Sequence, residues 1–266
     1  MRTTSNPAFR NLPVGGGGYA GFNSAPAGFP GADTRYGGAL PTTSRPMTVD
    51  DVVIKTGITL AVLAATGTAT YLSGLWVLTL PAMLVGFVLA MVIIFKRMVS
   101  PPMILAYAAV EGVVLGGISG LIGSTVERVT GSSSLVLEAV TGTVLVFAGM
   151  LVVYKTGAVK VTPRFTKWLT GALIGAFGLM VVNLIANFFT PGGLHLRDGG
   201  PLAIIFSLVC IGIAAFSFLI DFDAADEAIR AGAPEKTAWY IAFGLTVTLV
   251  WLYLEILRLL SYFQGE

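Results

Sequence analysis

Four acids stand close together in the stretch FLIDFDAADEAIR, residues 218–230: Asp221, Asp223, Asp226 and Glu227. Carboxylates are hard oxygen ligands and carry protons, so this group suits calcium or protons rather than zinc or copper. Acids at the carboxyl end of a helix oppose its dipole, so helix stability alone does not select them. The plainer account is a solvated helix end, with Arg230 four residues after Asp226 covering two of the acids. It leaves Asp221 and Asp223, which lie deeper, as candidate calcium ligands.

Three more acids interrupt apolar sequence: Glu111 in LAYAAVEGVVLGG, Glu138, and Glu255 in WLYLEILRLL. A charge near the centre of a bilayer costs at least about 2–3 kcal/mol unless it is paired or hydrated. Glu111 has no basic residue within four positions, so it is either protonated and hydrogen-bonded to a neighbouring helix or turned to a hydrated cavity. Glu138 lies within two turns of a helix start, where the dipole favours an acid and an interfacial place accounts for it. Glu255 has Arg258 three residues later on the same helix face, a local ion pair. Glu111, Asp226 and Glu138 are the candidate ion path. Lys55, near the start of the first apolar segment, is expected to snorkel to the membrane surface.

The elements that hold these acids must be membrane helices. The chain of 266 residues is 55% hydrophobic and 11% charged, with a mean hydropathy of +0.83. A soluble domain carries roughly a quarter charged residues. The apolar stretches run about 20 residues without the alternation of barrel strands. Seven such spans are expected, near 52–72, 74–95, 103–124, 134–154, 166–189, 200–221 and 237–262, with the first two forming a tight hairpin. They make residues 47–266 an all-α transmembrane domain. Small residues recur in TGTAT (66–70), GGISG (116–120) and GALIGAFG (171–178), which lets helices approach closely in lipid.

Residues 1–46 are rich in Gly, Pro, Ala and Ser and lack a periodic apolar face, so a disordered tail is expected, with no signal sequence. Basic residues fall on one side of the span map: the tail arginines, Lys96, Arg97, Lys155, Lys160, Arg164, Lys167, Arg230 and Lys236, against Arg128 and Arg197 opposite. The tail is then cytoplasmic and the C-terminus outside. A net charge of +2, dispersed along the chain, gives no support for a nucleic-acid partner. Cys210 and His195 are single, which excludes an intramolecular disulfide and cysteine or histidine-pair metal sites and argues against a Ser-His-Asp triad. Neither an enzyme nor a cofactor is expected. The expected partners are membrane lipid, calcium and protons, with a membrane-protein partner as a further candidate and oligomeric state left open.

The order of seven spans, with SPPMILAYAAVEGVVLGGIS opening the third, FLIDFDAADEAI ending the sixth and LYLEILRLL closing the last, resembles the Bax inhibitor-1 family in its bacterial branch. The start TTSNPAFRNL with its Gly/Pro-rich tail is similar to an actinobacterial-type subgroup. The resemblance implies a seven-helix bundle with the last helix central, leaking calcium across the plasma membrane under pH control. It also implies two aspartates sharing a proton, one at the cytoplasmic end of the sixth helix and one within the seventh. The first matches Asp223. The second falls on Glu255 when aligned through LYL and on Thr248 when aligned without a gap through LRLL. With Thr248 there, Asp223 would turn to Asp221, Asp226 or Glu111. A basic residue at the end of the second helix that holds the sixth-helix aspartate matches Lys96, with Arg97 next.

The expected function is therefore a pH-sensitive calcium leak channel, with Asp223, Lys96, Asp221 and Glu255 as sensor and gate. Its alternatives are a non-transporting membrane regulator of a proteolytic or other complex, and a proton-coupled solute transporter. The spans show no inverted repeat, which weighs against the transporter.

Overall fold

The computed structural model describes residues 45–264, with the exception of 98 and 132. The expected tail lies outside the described residues up to residue 44. Arg45 and Pro46, assigned to it from composition, are ordered instead, because they pair with the chain at Pro234.

Among the described residues, seven helices are long and apolar enough to cross a membrane. They are α1 (Val49–Ser73), α2 (Thr79–Lys96), α3 (Pro101–Thr130), α4 (Leu135–Thr156), α5 (Pro163–Ala186), α6 (Pro201–Arg230) and α7 (Thr237–Gln264). Their ends follow local chemistry. Thr48 and Asp51 form a capping box at the start of α1, and prolines open α3, α5 and α6, where a missing N–H costs nothing. Gly74, Gly131 and Gly157 close α1, α3 and α4 in the left-handed conformation.

Two boundaries differ from expectation. The turn after α1 is as short as expected, with Gly74 and Leu75 between the two spans, but the second span opens with a 3-10 turn at Trp76–Leu78 before α2 starts at Thr79. The Trp76 indole lies against Gly120 of α3, where any Cβ would come within 2.2 Å of Nε1. The second difference concerns the acids. α6 does not end near residue 221 but continues to Arg230, since the Ala- and Glu-bearing run AADEAIR forms helix well and Asp226 pairs with Arg230 along it. The acidic group therefore occupies the last turns of a continuous helix.

α7 is central. It packs against α1, α3, α4 and α6, and Leu245, Leu249, Leu252 and Ile256 join Phe218 and Phe222 of α6, Ala139 of α4 and Leu115 of α3 in the main core. A second cluster of Leu169, Ala176, Phe206, Cys210 and Ile213 fixes the peripheral α5 to α6. A third, Ile93, Ile104, Tyr107 and Phe243, joins α2, α3 and α7. α1 and α3 meet most closely: a Cβ on Gly116 would come within 2.2 Å of the Gly67 carbonyl oxygen. The outward faces stay apolar, with Phe87, Leu145 and Phe177 all exposed, as a surface facing lipid tails requires.

Candidate functional site: acids along the sixth and seventh helices

Successive residues on a helix turn by about 100°, so Asp221 and Asp223 point to nearly opposite faces of α6. Asp221 faces the central helix. The Thr248 hydroxyl donates to its Oδ2 at 2.7 Å and also lies 3.3 Å from the Gly244 carbonyl oxygen one turn earlier in α7. No ion pair reaches Asp221 among the described residues, so a half-buried carboxylate inside an apolar span is met by one hydroxyl.

Asp223 and Asp226 take the side toward α4. The Tyr154 hydroxyl donates to Asp226 Oδ2 at 2.8 Å, and Arg230 lies 3.8 Å from the same oxygen. Tyr154 also lies within the field of Asp223. Below it stands an aromatic box in which Phe147 meets Phe218 and Phe222 edge-on, with ring centroids 5.2 and 5.7 Å apart. Among the described residues no three His, Cys, Asp or Glu side chains gather into a metal-binding group.

Two expected contacts are not made. Asp223 and Lys96 form no ion pair among the described residues: Lys96 is exposed at the end of α2, which rests on α3, whereas α6 rests on α4, α5 and α7. Nor does Glu255 meet Asp223. Glu255 stands seven residues beyond Thr248, about 10 Å farther along α7 and away from the α6–α7 connection. There it is only 2% exposed, and its Oε1 takes Arg258 at 3.1 Å and Arg197 of the α5–α6 connection at 3.4 Å. The local pair with Arg258 matches the sequence reading; Arg197, 58 residues away, is an addition. Glu255 Oε2 is buried without a hydrogen-bond partner among the described residues. Of the two alignments, the geometry thus puts Thr248 rather than Glu255 opposite the acidic end of α6, and Asp221 rather than Asp223 against Thr248.

The remaining acids are dispersed. Glu111 is half-buried on α3 facing α2, where Gly86 leaves it room: a Cβ there would lie 3.1 Å from Glu111 Oε2. Glu138 is exposed in the first turn of α4 and accepts from the Ser134 hydroxyl and the Gln264 amide, both at 2.6 Å. In the α5–α6 connection, the Gly200 amide and then the His195 ring hold Asp198 below the usual carboxylate range. Burial, followed by the charge of Arg258, presses Arg197 below the usual guanidinium range.

Sequence reasoning missed the polar group at the start of α1. Lys55 does not snorkel to a free surface: it is 8% exposed, with Nζ 3.0 Å from Glu235 Oε1 and 2.9 Å from the Glu235 carbonyl oxygen. These residues are 180 positions apart, and no local pattern joins them. A Ser119–Tyr253 hydrogen bond of 2.7 Å, tying α3 to α7, was likewise not foreseen.

The chain matches the family model described as Bax inhibitor 1 like over residues 6–265. No curated protein matches it in sequence.

Proposed function

Because the chain belongs to the Bax inhibitor 1 like family, we propose that it is a pH-responsive calcium leak of the cell membrane, with Asp221 and Thr248 as the protonatable contact between α6 and the central α7. The observation that carries the reading is a carboxylate inside a span whose one hydrogen-bond partner among the described residues is a hydroxyl of the central helix. Ionised, Asp221 accepts a charge-assisted hydrogen bond, about twice as strong as a neutral one. Protonation removes that charge, weakens the tie and frees α7 to shift against α6. Asp223 and Asp226, on the other face, supply negative charge that attracts calcium to the mouth. The arginine and lysine distribution supports a cytoplasmic mouth on the side of the tail, and in this reading the leak rises as the cytoplasmic side acidifies.

The test is calcium flux in liposomes holding the purified protein, measured across a pH series. Asp221→Asn should give a flux that no longer changes with pH, and Thr248→Val should raise flux at neutral pH. Asp223→Asn should lower the flux while leaving its pH response in place. Wild-type liposomes without calcium flux at any pH would overturn the leak and favour a non-transporting regulator. A wild-type pH profile in Asp221→Asn would overturn the assigned sensor.

A further inference from the structure

The segment that leads out of the N-terminal tail is bound to the α6–α7 connection. Arg45–Met47 run antiparallel to Ala233–Glu235, with the Met47 amide donating to the Ala233 carbonyl oxygen at 2.8 Å and the Glu235 amide to that of Arg45 at 2.9 Å. Met47 is 2% exposed and belongs to the main core, so this strip is anchored rather than laid on the surface. Four charged side chains close around it. Arg45 reaches Asp51 at 2.7 Å and Glu235 at 3.7 Å, and Lys55 reaches Glu235 at 3.0 Å and Asp51 at 4.0 Å. The Lys55 ammonium also lies 6.0 Å from the centre of the Trp239 ring in the first turn of α7. Lys55 therefore joins its own helix α1 to the connection and to the start of α7. The Lys55 side chain is 10% exposed and that of Glu235 40%, so the pair is shielded on one side, and loss of the lysine charge leaves Asp51 and Glu235 with Arg45 as their remaining cation.

The α6–α7 connection is only six residues long, 231–236, and Gly232 in it has φ +66°. It is the covalent link between the helix bearing Asp221 and the helix bearing Thr248. Whatever fixes Glu235 to α1 also fixes where α7 starts, and so the register in which Thr248 meets Asp221. We propose that Lys55 and Glu235 are positioning residues of a clasp that holds α7 in its resting place and thereby keeps the leak low, a reading that rests on the function proposed above.

The test uses the full-length chain. Lys55→Met keeps the length of the side chain and removes its charge; Lys55→Arg keeps the charge. In hydrogen exchange, Lys55→Met should speed the Met47 and Glu235 amides by about tenfold or more while the core of α7 stays protected. In liposomes the same variant should raise calcium flux at neutral pH severalfold and keep the pH response set by Asp221. Lys55→Arg should behave as wild type in both. Glu235→Gln, which keeps the backbone carbonyl contact, repeats the test should Lys55→Met not fold. Wild-type exchange rates in both charge-removing variants would overturn the clasp, and faster exchange with unchanged flux would overturn its control of the leak. Absence of flux in the wild-type protein would defeat the leak itself, and the exchange rates would then decide the clasp alone.

Discussion

Glu255 shows how much a single side chain depends on partners outside its own helix. At 2% exposure it stands between two guanidiniums, and removing its charge leaves Arg197 and Arg258 facing each other without a counter-ion. Glu255→Gln should destabilise the folded protein by about 3–5 kcal/mol. Arg258→Met should cost less, because Arg197 continues to neutralise the acid. Thermal unfolding in one detergent, comparing the two variants, checks the order. Asp198 makes a prediction of opposite character. Its carboxylate is held below the usual range, so the contact it contributes is complete above the unfolded value near pH 4 and is lost only as pH falls through the lower folded value. The amide resonance of Gly200, which donates to Asp198 at 3.1 Å, should stay still on acidification to pH 5 and move only at lower pH.

The helices were legible because each carries its signal locally: a span's worth of apolar residues, a proline at the start, a glycine at the end. What local signals leave open is where a polar helix tail stops, and α6 runs nine residues past the expected limit because AADEAIR is as helical as it is hydrophilic. The site divides along the same line. Contacts three or four residues apart, Glu255 with Arg258 and Asp226 with Arg230, follow from helix periodicity. Asp221 with Thr248, Glu255 with Arg197 and Lys55 with Glu235 join different elements, and helix rotation decides them. A two-residue choice, Asp221 or Asp223, reverses the face of α6 on which the acid stands, and spacing alone does not resolve it. The helix glycines also divide once neighbours are known. A Cβ on Gly112 would fall 2.4 Å from the Leu63 carbonyl oxygen, whereas one on Gly175 meets nothing within 4 Å. Gly112→Ala should therefore force α1 and α3 apart at a cost of about 1–3 kcal/mol, and Gly175→Ala should leave the melting temperature unchanged or slightly higher.

At the scale of the whole molecule, the bundle has polar contacts of different kinds at its two ends. One end is closed by Arg45, Asp51, Lys55 and Glu235, the other by Glu255 between two arginines, with α7 running from one to the other. Arg45 and Met47 belong to the first of these ends. Deleting residues 1–44 should leave the melting temperature within about a degree of the full chain, because that segment is poor in the apolar periodicity a core needs. Deleting residues 1–47 removes Arg45 and the buried Met47 and should lower it by several degrees. A pair of truncations unfolding at the same temperature would show that the clasp adds nothing to the fold.

Cys210 sits in α6 with no exposed surface, walled in by Leu169, Ala176 and Phe206. A water-soluble maleimide cannot reach a thiol in that position while the bundle is intact. The natural sequence is therefore already a silent background for site-directed labelling, and a cysteine placed at Lys96, Lys160 or Asp198 would be the one group to react in sealed membranes. Reagent added from either side would then read the orientation of each connection directly, without the substitution of a core residue that cysteine-free backgrounds usually demand.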